Sequence, residues 1–309
     1  MKEFGVYQYI SGEPMTERDK REANSKFWNK GKWDNFVLPF LPKDCSELSL
    51  VDMGCNAGLF LRLAEDMGFD KVIGVDSDKE AIARALKYRE ENGGSYDIQR
   101  RRVEQALRHL PMADFTVLAN VHYYMGISEW LEYVHQLESK TRFCIIVSGK
   151  KRPFKHLAGS SLDGVRDYFK NWREVGLIDN VSKEGDPSPR NLFSVCFESP
   201  IITRERIDAL DNGNNQQEGF YQELDKGVDP LRTRYYWRMK SYRMKEHGWS
   251  HKQVVDYINE KAVLYENVKR FGLMKQIIVS SKSRIIDGDH RCEMLRHLGH
   301  ESILIRRVL

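Results

Sequence analysis

Short apolar runs, each followed by a segment of helical spacing, set the rhythm of the chain from residue 48 onward. Leu48-Ser-Leu-Val-Asp-Met53 is the first run, and the small residues Gly54-Cys-Asn-Ala-Gly58 turn the chain after it. Leu59, Phe60, Leu61, Leu63, Ala64 and Met67 then recur at helical spacing. Lys71-Val-Ile-Gly-Val-Asp76 predicts a second strand, ending like the first near an acid. Ser77 and Glu80 have capping-box spacing, and the helix they open runs through Ala81, Ile82, Ala85 and Leu86 to Asn92-Gly93-Gly94. Three more strands are expected at Tyr96–Gln99, Asp114–Asn120 and Thr141–Val147. Helices are expected over Ser128–Leu137 and Val165–Trp172. Val175–Ser182 and Asn191–Glu198 predict a hairpin across Gly185–Pro189.

Outside this block the pattern changes. Residues 1–47 are polar and aromatic, with Tyr7, Tyr9, Phe27, Trp28, Trp33 and Phe36. Thr16–Ala23 predicts a helix start, and a second helix is expected from Lys30 to Leu41. This extension either lids the site or packs on the sheet. Residues 211–219 are polar and lack periodicity, which places a linker at 201–220 between domains at 48–200 and 221–309. In the last domain Arg232–Lys245 reads as a basic helix with interleaved aromatics, and Ser250 with Gln253 caps the next helix. Tyr265–Gly272 predicts a helix closed by glycine. Short strands are expected at Gln276–Val279 and Arg284–Ile286. The loop Asp287–Arg291, a helix through Met294, Leu295 and Leu298 to Gly299, and a strand at Ile303–Val308 complete the chain.

Composition narrows the classes. A length of 309 residues suits two domains, and 41% hydrophobic with 30% charged residues is a globular balance. A net charge of +4 permits an anionic substrate without demanding nucleic acid. Cys45, Cys55, Cys144, Cys196 and Cys292 are scattered with no Cys-x-x-Cys pair, so neither a zinc site nor a disulfide framework is expected. No metal is expected. No apolar stretch approaches membrane-spanning length, and the first residues do not open a signal peptide, so a cytoplasmic protein is expected.

Alternating strands and helices predict an α/β fold. Gly54 and Gly58 permit a sharp turn and close approach of a ligand to the backbone, and Asp76 lies 22 residues beyond Gly54, where a nucleotide-binding fold holds ribose hydroxyls. The fingerprint Gly-x-Gly-x-x-Gly does not fit, which argues against hydride transfer. Asp52-Met-Gly54-Cys-Asn56-Ala-Gly58 resembles the first motif of the class I S-adenosylmethionine-dependent methyltransferases, with Asn56 in place of the middle glycine. The resemblance spans roughly residues 48–198 and implies a Rossmann-like seven-stranded sheet that binds S-adenosylmethionine. It implies Asp52, Gly54, Asn56, Gly58, Asp76, Ser77, Val103, Glu104 and Asn120 as cofactor-binding residues. It places His122 and Tyr123 beside the transferred methyl. His122 is then either the base for a hydroxyl acceptor or a residue that positions a phosphate acceptor.

Gly272, Asp287-Gly288-Asp289-His290-Arg291 and Gly299 resemble the ParB/sulfiredoxin-like fold, a small α+β domain. Val228-Asp229-Pro230-Leu-Arg232 corresponds to that family's opening element. The resemblance implies a nucleotide- or phosphate-binding loop at Gly288, Asp289, His290 and Arg291, with ATP, ADP or CTP and magnesium as ligands and a kinase as one of its activities. Free N–H groups at a helix start support an anion site there. Sulfiredoxin chemistry needs a cysteine inside the loop, and Cys292 follows it. Two readings stay open. One is a bifunctional methyltransferase acting on a small-molecule, saccharide or phosphorylated acceptor. The other is a nucleic-acid methyltransferase whose C-terminal domain docks the substrate.

Overall fold

The computed structural model describes residues 29–149, 161–180, 192–210, 217–271, 276–280 and 283–308. The chain divides into two compact units, Met1–Ile202 and Thr203–Leu309. The expected helix at Thr16–Ala23, the aromatics up to Trp28, the hairpin turn Gly185–Pro189, most of the polar run 211–219 and Gly272 lie outside the described residues.

The first unit is built on seven strands: β1 (Ser49–Met53), β2 (Lys71–Asp76), β3 (Asp97–Arg100), β4 (Ala113–Ala119), β5 (Thr141–Gly149), β6 (Arg173–Asn180) and β7 (Leu192–Glu198). Their order is β3-β2-β1-β4-β5-β7-β6. β1 pairs in parallel with β2 and β4, and β2 with β3 and β4 with β5 likewise. β7 runs antiparallel to both β5 and β6, which is the expected closing hairpin. Central strands covered on both faces need apolar residues at successive positions. β1, β2 and β4 satisfy that need, with Leu50, Val51, Met53, Val72, Ile73, Val75, Phe115, Val117 and Leu118 buried.

Each face has its own core. Trp130, Tyr133, Phe169, Trp172 and Phe197 fill one, where Phe169 stacks on Phe197 at 4.5 Å. Trp33, Phe36, Phe60, Leu61 and Phe69 fill the other. The Leu59–Asp66 helix enters this second core with Phe60, Leu61 and Ala64, and each large side chain so buried contributes roughly 1.5–3 kcal/mol. Gly74 on β2 makes that approach feasible. A Cβ there would lie 2.4 Å from Leu61 Cδ1 and 2.8 Å from Cys55 Sγ.

Several expected boundaries shift for local reasons. The helix that opens the described chain spans Asn29–Phe36 rather than reaching Leu41, and a 3-10 turn, Leu38–Phe40, follows it. Pro39 lacks a donor and restricts its predecessor, which stops the α-helix. The Lys79–Glu91 helix is capped by Asp78, whose side chain accepts from Ala81 N, and not by Ser77. The Asp97–Arg100 and Ala113–Ala119 strands each sit within one residue of expectation.

The second unit has a four-stranded sheet of order β10-β9-β11-β8: β8 (Ile202–Arg206), β9 (Ile278–Ser280), β10 (Ile285–Asp287) and β11 (Ser302–Val308). β9 pairs in parallel with β11 and antiparallel with β10. β8 corrects the expected linker at 201–220: Ile202 and Ile207 are apolar and buried, so this stretch joins the core. The helices span Glu218–Asp225, Arg234–His247, His251–Phe271 and Asp289–His297. Ser250 and Gln253 form the expected reciprocal cap, Ser250 N donating to Oε1 at 2.8 Å and Gln253 N to Oγ at 3.3 Å. The helix expected from Tyr265 is the end of this 21-residue segment, since no breaker interrupts residues 251–271. Tyr221 stacks on Tyr265 at 5.0 Å inside the core. Asp225 accepts from Tyr265 Oη and Lys269 Nζ, each at 2.8 Å, and those bonds hold its carboxyl down at about 2.

The packing around β2 makes a direct prediction. Gly74→Ala should lower the stability of the chain by about 1–3 kcal/mol through overpacking against Leu61 and Cys55. Urea denaturation reads it as a lower midpoint at unchanged slope; an unshifted midpoint would refute the packing argument.

Candidate active site

The loop after β1 is fixed by the end of β2. Gly54 N and Cys55 N both donate to Val75 O, at 2.7 and 3.0 Å. Asp76 then clamps two turns: Oδ2 accepts from Asn56 N at 2.8 Å and Oδ1 from Asp78 N at 2.9 Å. Gly54, Asn56 and Gly58 have φ of +81, +49 and +86, a left-handed backbone that glycine and asparagine tolerate best. Gly58 N donates to Cys55 O at 2.9 Å and Gly58 starts the Leu59–Asp66 helix.

The end of β4 meets this loop. Asn120 is left-handed at φ +61, and its N donates to Val147 O at 2.9 Å. Val121 follows and covers Gly54, where an ideal Cβ would lie only 2.4 Å from Val121 Cγ2. Gly54 is therefore required by a protein neighbour, in addition to the turn. β1 lies between β2 and β4, and the strand order reverses beside it, so the site sits at the topological switch point of the sheet. The sheet thus brings together Asp52, Gly54, Asn56, Gly58, Asp76 and Asn120.

His122 takes a buried place. It opens the 3-10 turn His122–Tyr124, is 1% exposed, and lies with Nε2 3.2 Å from Ser148 Oγ and its ring 5.6 Å from that of Trp130. The side chain of Tyr123 lies outside what the structure describes. Val103 is buried in the core, and Glu104 pairs with the Arg102 guanidinium. Ser77 is exposed.

The electrostatics centre on two acids. Asp52 is 2% exposed, and its Oδ2 accepts no hydrogen bond from a described residue. Burial, and then the nearby Asp76 charge, push its carboxyl up to about 8, against a smaller pull from buried Lys32. Asp76 is raised by desolvation and held back by its backbone bonds. These residues fit S-adenosylmethionine: Asp52 has an unmet acceptor for a cationic group, and the Asp76 carboxylate has acceptor capacity for hydroxyls beside its backbone bonds. Lys32, Asp78, Val121 and Ser148 escaped the sequence reading. Only the Asp78 cap had a local signal, its spacing to Ala81.

In the second unit, Gly288 (φ +97) starts the nine-residue Asp289–His297 helix. Arg291 turns back to Asp287, with Nη2 to Oδ2 at 2.9 Å, and is 8% exposed. His290 Nδ1 lies 2.5 Å from Gln217 Nε2, and Gln217 Oε1 accepts from Lys261 Nζ at 3.2 Å. Lys261 is 4% exposed, and burial lowers its ammonium to about 7. Burial and the Lys261 charge hold His290 down at about 4. The sequence reading passed over Gln217 and Lys261, which lie 73 and 29 residues before His290. Asp229 caps Leu231 N at 2.8 Å in the Pro230–Arg232 turn.

Among the described residues no group of three or more His, Cys, Asp or Glu is arranged to hold a metal, and no helix is long and apolar enough to cross a membrane. All five cysteines are buried free thiols. A cleft of about 730 Å³ lies at the amino ends of β1, β4 and β5, lined by Phe40, Leu48, Asp114, Arg142 and Phe143 among others, and no candidate residue lines it.

Sheet order, glycine loop and terminal acids together make a Rossmann-like α/β sheet with a loop at its switch point. Residues 26–148 match the family model described as a methyltransferase domain. Solved structures similar to the chain include the N-methyltransferase NodS from Bradyrhizobium japonicum WM9 in complex with S-adenosyl-l-homocysteine, at 16% identity over 60% of this chain and 93% of that one, TM-score 0.47. Magnesium protoporphyrin IX methyltransferase (ChlM) from Synechocystis PCC 6803 with bound SAM is similar at 15% identity, 61% and 87% coverage and TM-score 0.46. TehB from Haemophilus influenzae is similar at 15% identity and TM-score 0.42, with 50% of this chain covering 58% of that one, less than two thirds of its length. No curated protein matches the chain.

The raised Asp52 carboxyl fixes a sign. A folded-state pKa above the unfolded value means that the native protein binds the extra proton, so stability falls as pH rises from about 4 to about 8. Asp52→Asn should flatten that decline in urea titrations across the same range; an unchanged pH slope would refute the assignment.

Proposed function

We propose that residues 48–198 transfer a methyl group from S-adenosylmethionine to a small-molecule, saccharide or phosphorylated acceptor. The observation that carries this reading is the Asp76 clamp: one carboxylate holds the glycine loop in shape at the switch point while keeping acceptor capacity for the ribose hydroxyls. The methyltransferase-domain match over 26–148 supports it. S-adenosylmethionine, when bound, supplies a methyl on a sulfonium, and its transfer is an in-line displacement at carbon. Gly54–Gly58 hold the amino-acid end of the cofactor, Asp52 offers its free oxygen to the cationic group there, and Val103 and Glu104 face the adenine. His122, held by Ser148, fixes the Asn120–Tyr124 turn that presents the acceptor. Holding acceptor and methyl in line is itself the larger part of such catalysis.

Asp76→Ala should weaken S-adenosylmethionine binding roughly ten- to hundredfold, the loss expected for hydrogen bonds to a charged group. Calorimetry measures it, and transfer of labelled methyl to a panel of hydroxyl, amine and phosphate acceptors tests the reaction. Wild-type affinity in the mutant, or no cofactor binding by the native chain, would overturn the reading.

In the second unit we propose a nucleotide-phosphate site at Gly288–Arg291, which leaves a phosphotransferase activity as its consequence. The chain from buried Lys261 through buried Gln217 to half-buried His290 beside the helix start supports it, because burying a cation and an amide there is costly. Arg291, tied to Asp287, shapes the loop in this reading. His290→Ala should then reduce binding of ATP, ADP or CTP with magnesium at least tenfold, by calorimetry. Failure of the native chain to bind any of the three would remove the proposal.

A further inference from the structure

We infer that the solvent face of the Arg234–His247 helix is a docking strip for single-stranded nucleic acid. The inference rests on the surface of the second unit and stands apart from the methyl-transfer reading.

Charge is unevenly placed along the chain. Residues 203–309 hold 20 lysines and arginines against 15 acids, whereas residues 1–202 hold 29 against 30. Within the second unit, residues 232–252 carry seven lysines and arginines and a single acid, Glu246. The basic excess of the protein is therefore local to one helix and its flanks, which is the electrostatic footprint of a polyanion partner.

The helix splits its aromatics between core and solvent. Tyr235 and Tyr236 are 6% and 4% exposed and belong to the core. Trp237 is 58% exposed and contributes little to that core, and Met244 is 38% exposed. At 100° per residue, Arg234, Trp237, Arg238, Ser241, Met244 and Lys245 share the outward face, with no acid among them. Trp237 is held in place rather than loose. Its ring meets the edge of Tyr236 at 5.1 Å and 65°, and the Lys240 ammonium lies 5.1 Å from its centroid. Arg234 has Glu223 3.7 Å away at one side, so the strip is bounded there.

An oriented indole beside a cation, with further cations at each turn, matches a strand of unstacked bases: the ring takes a base face and the cations take phosphates. A duplex hides its base faces and would use only the charge. A purely apolar partner would cover the interleaved cations without offering them any charge.

The test uses the full chain and labelled 12-nucleotide oligo(U) and oligo(dT), read by fluorescence anisotropy at several salt concentrations. Binding should weaken steeply with salt. Trp237→Ala should lower affinity roughly five- to hundredfold, the loss of one stacked base, with an unchanged melting temperature because the side chain is exposed. Lys245→Ala should lower affinity and make the salt dependence shallower. A duplex of equal length should bind more weakly than either single strand. Wild-type affinity in Trp237→Ala would overturn the strip as a stacking platform and leave a charged face only. Absence of binding, equal or tighter duplex binding, or tighter binding to vesicles of anionic phospholipid would overturn it as well. Cofactor binding in the same variants separates this outcome from failure of the methyl-transfer reading.

Discussion

The carbonyl of Val75 and the carboxylate of Asp76 are where the first unit is tied together. Two N–H groups from the glycine loop end on that carbonyl, and a third ends on the carboxylate. Without them the loop after β1 would have unsatisfied donors at the edge of a buried sheet, each costing about 1–3 kcal/mol. With them, the left-handed conformations at Gly54, Asn56 and Gly58 are fixed by the register of β1 on β2, Asp52 opposite Gly74. The site is thus a consequence of strand pairing. Its shape is set by backbone bonds that no ligand has to form.

The legible part of the fold follows from this dependence on backbone. Strands β1, β2, β4, β5 and β7 announce themselves as apolar runs, and the glycine loop as small residues between a strand and a helical pattern. What escaped has no local signal. Val121 covers Gly54 only because β4 lies beside β1. Lys32 acts on Asp52 only because the Asn29–Phe36 helix packs into the core next to it. Gly74 looks like a weak point in a strand until Leu61 and Cys55 are seen against it. Strand β8 hid in a polar neighbourhood because three of its five residues are charged and only Ile202 is buried. Pairing partners distant in sequence decide each of these, and periodicity within one segment does not report them.

The second unit gives the same lesson for side chains. The loop Asp287–Arg291 stood out for its glycine and its charges, but its surroundings do not belong to the loop. Gln217 and Lys261 arrive from two other helical segments, and Arg291, the most conspicuous cation, is spent on Asp287. A charged residue next to a glycine turn reads as ligand-facing in the sequence. In the fold it is as readily a brace for the turn, and only the hydrogen-bond partners tell the two apart.

Asp52 and Asp76 end adjacent strands, and their mutual repulsion adds to the cost of burial. Lys32 offsets only part of it, since Asp52 still stands near 8. A carboxyl group in that position has two ways to settle: it keeps a proton, or it meets a cation. The first leaves Oδ2 without a partner among the described residues. The second supplies one. A cofactor with a positive charge at each of two atoms, the sulfonium and the α-ammonium, relieves the same strain that disfavours the empty site in its ionised form. In the methyl-transfer reading proposed above, two buried acids at the ends of β1 and β2 would favour a cationic ligand by charge, and the glycine loop would admit it by shape.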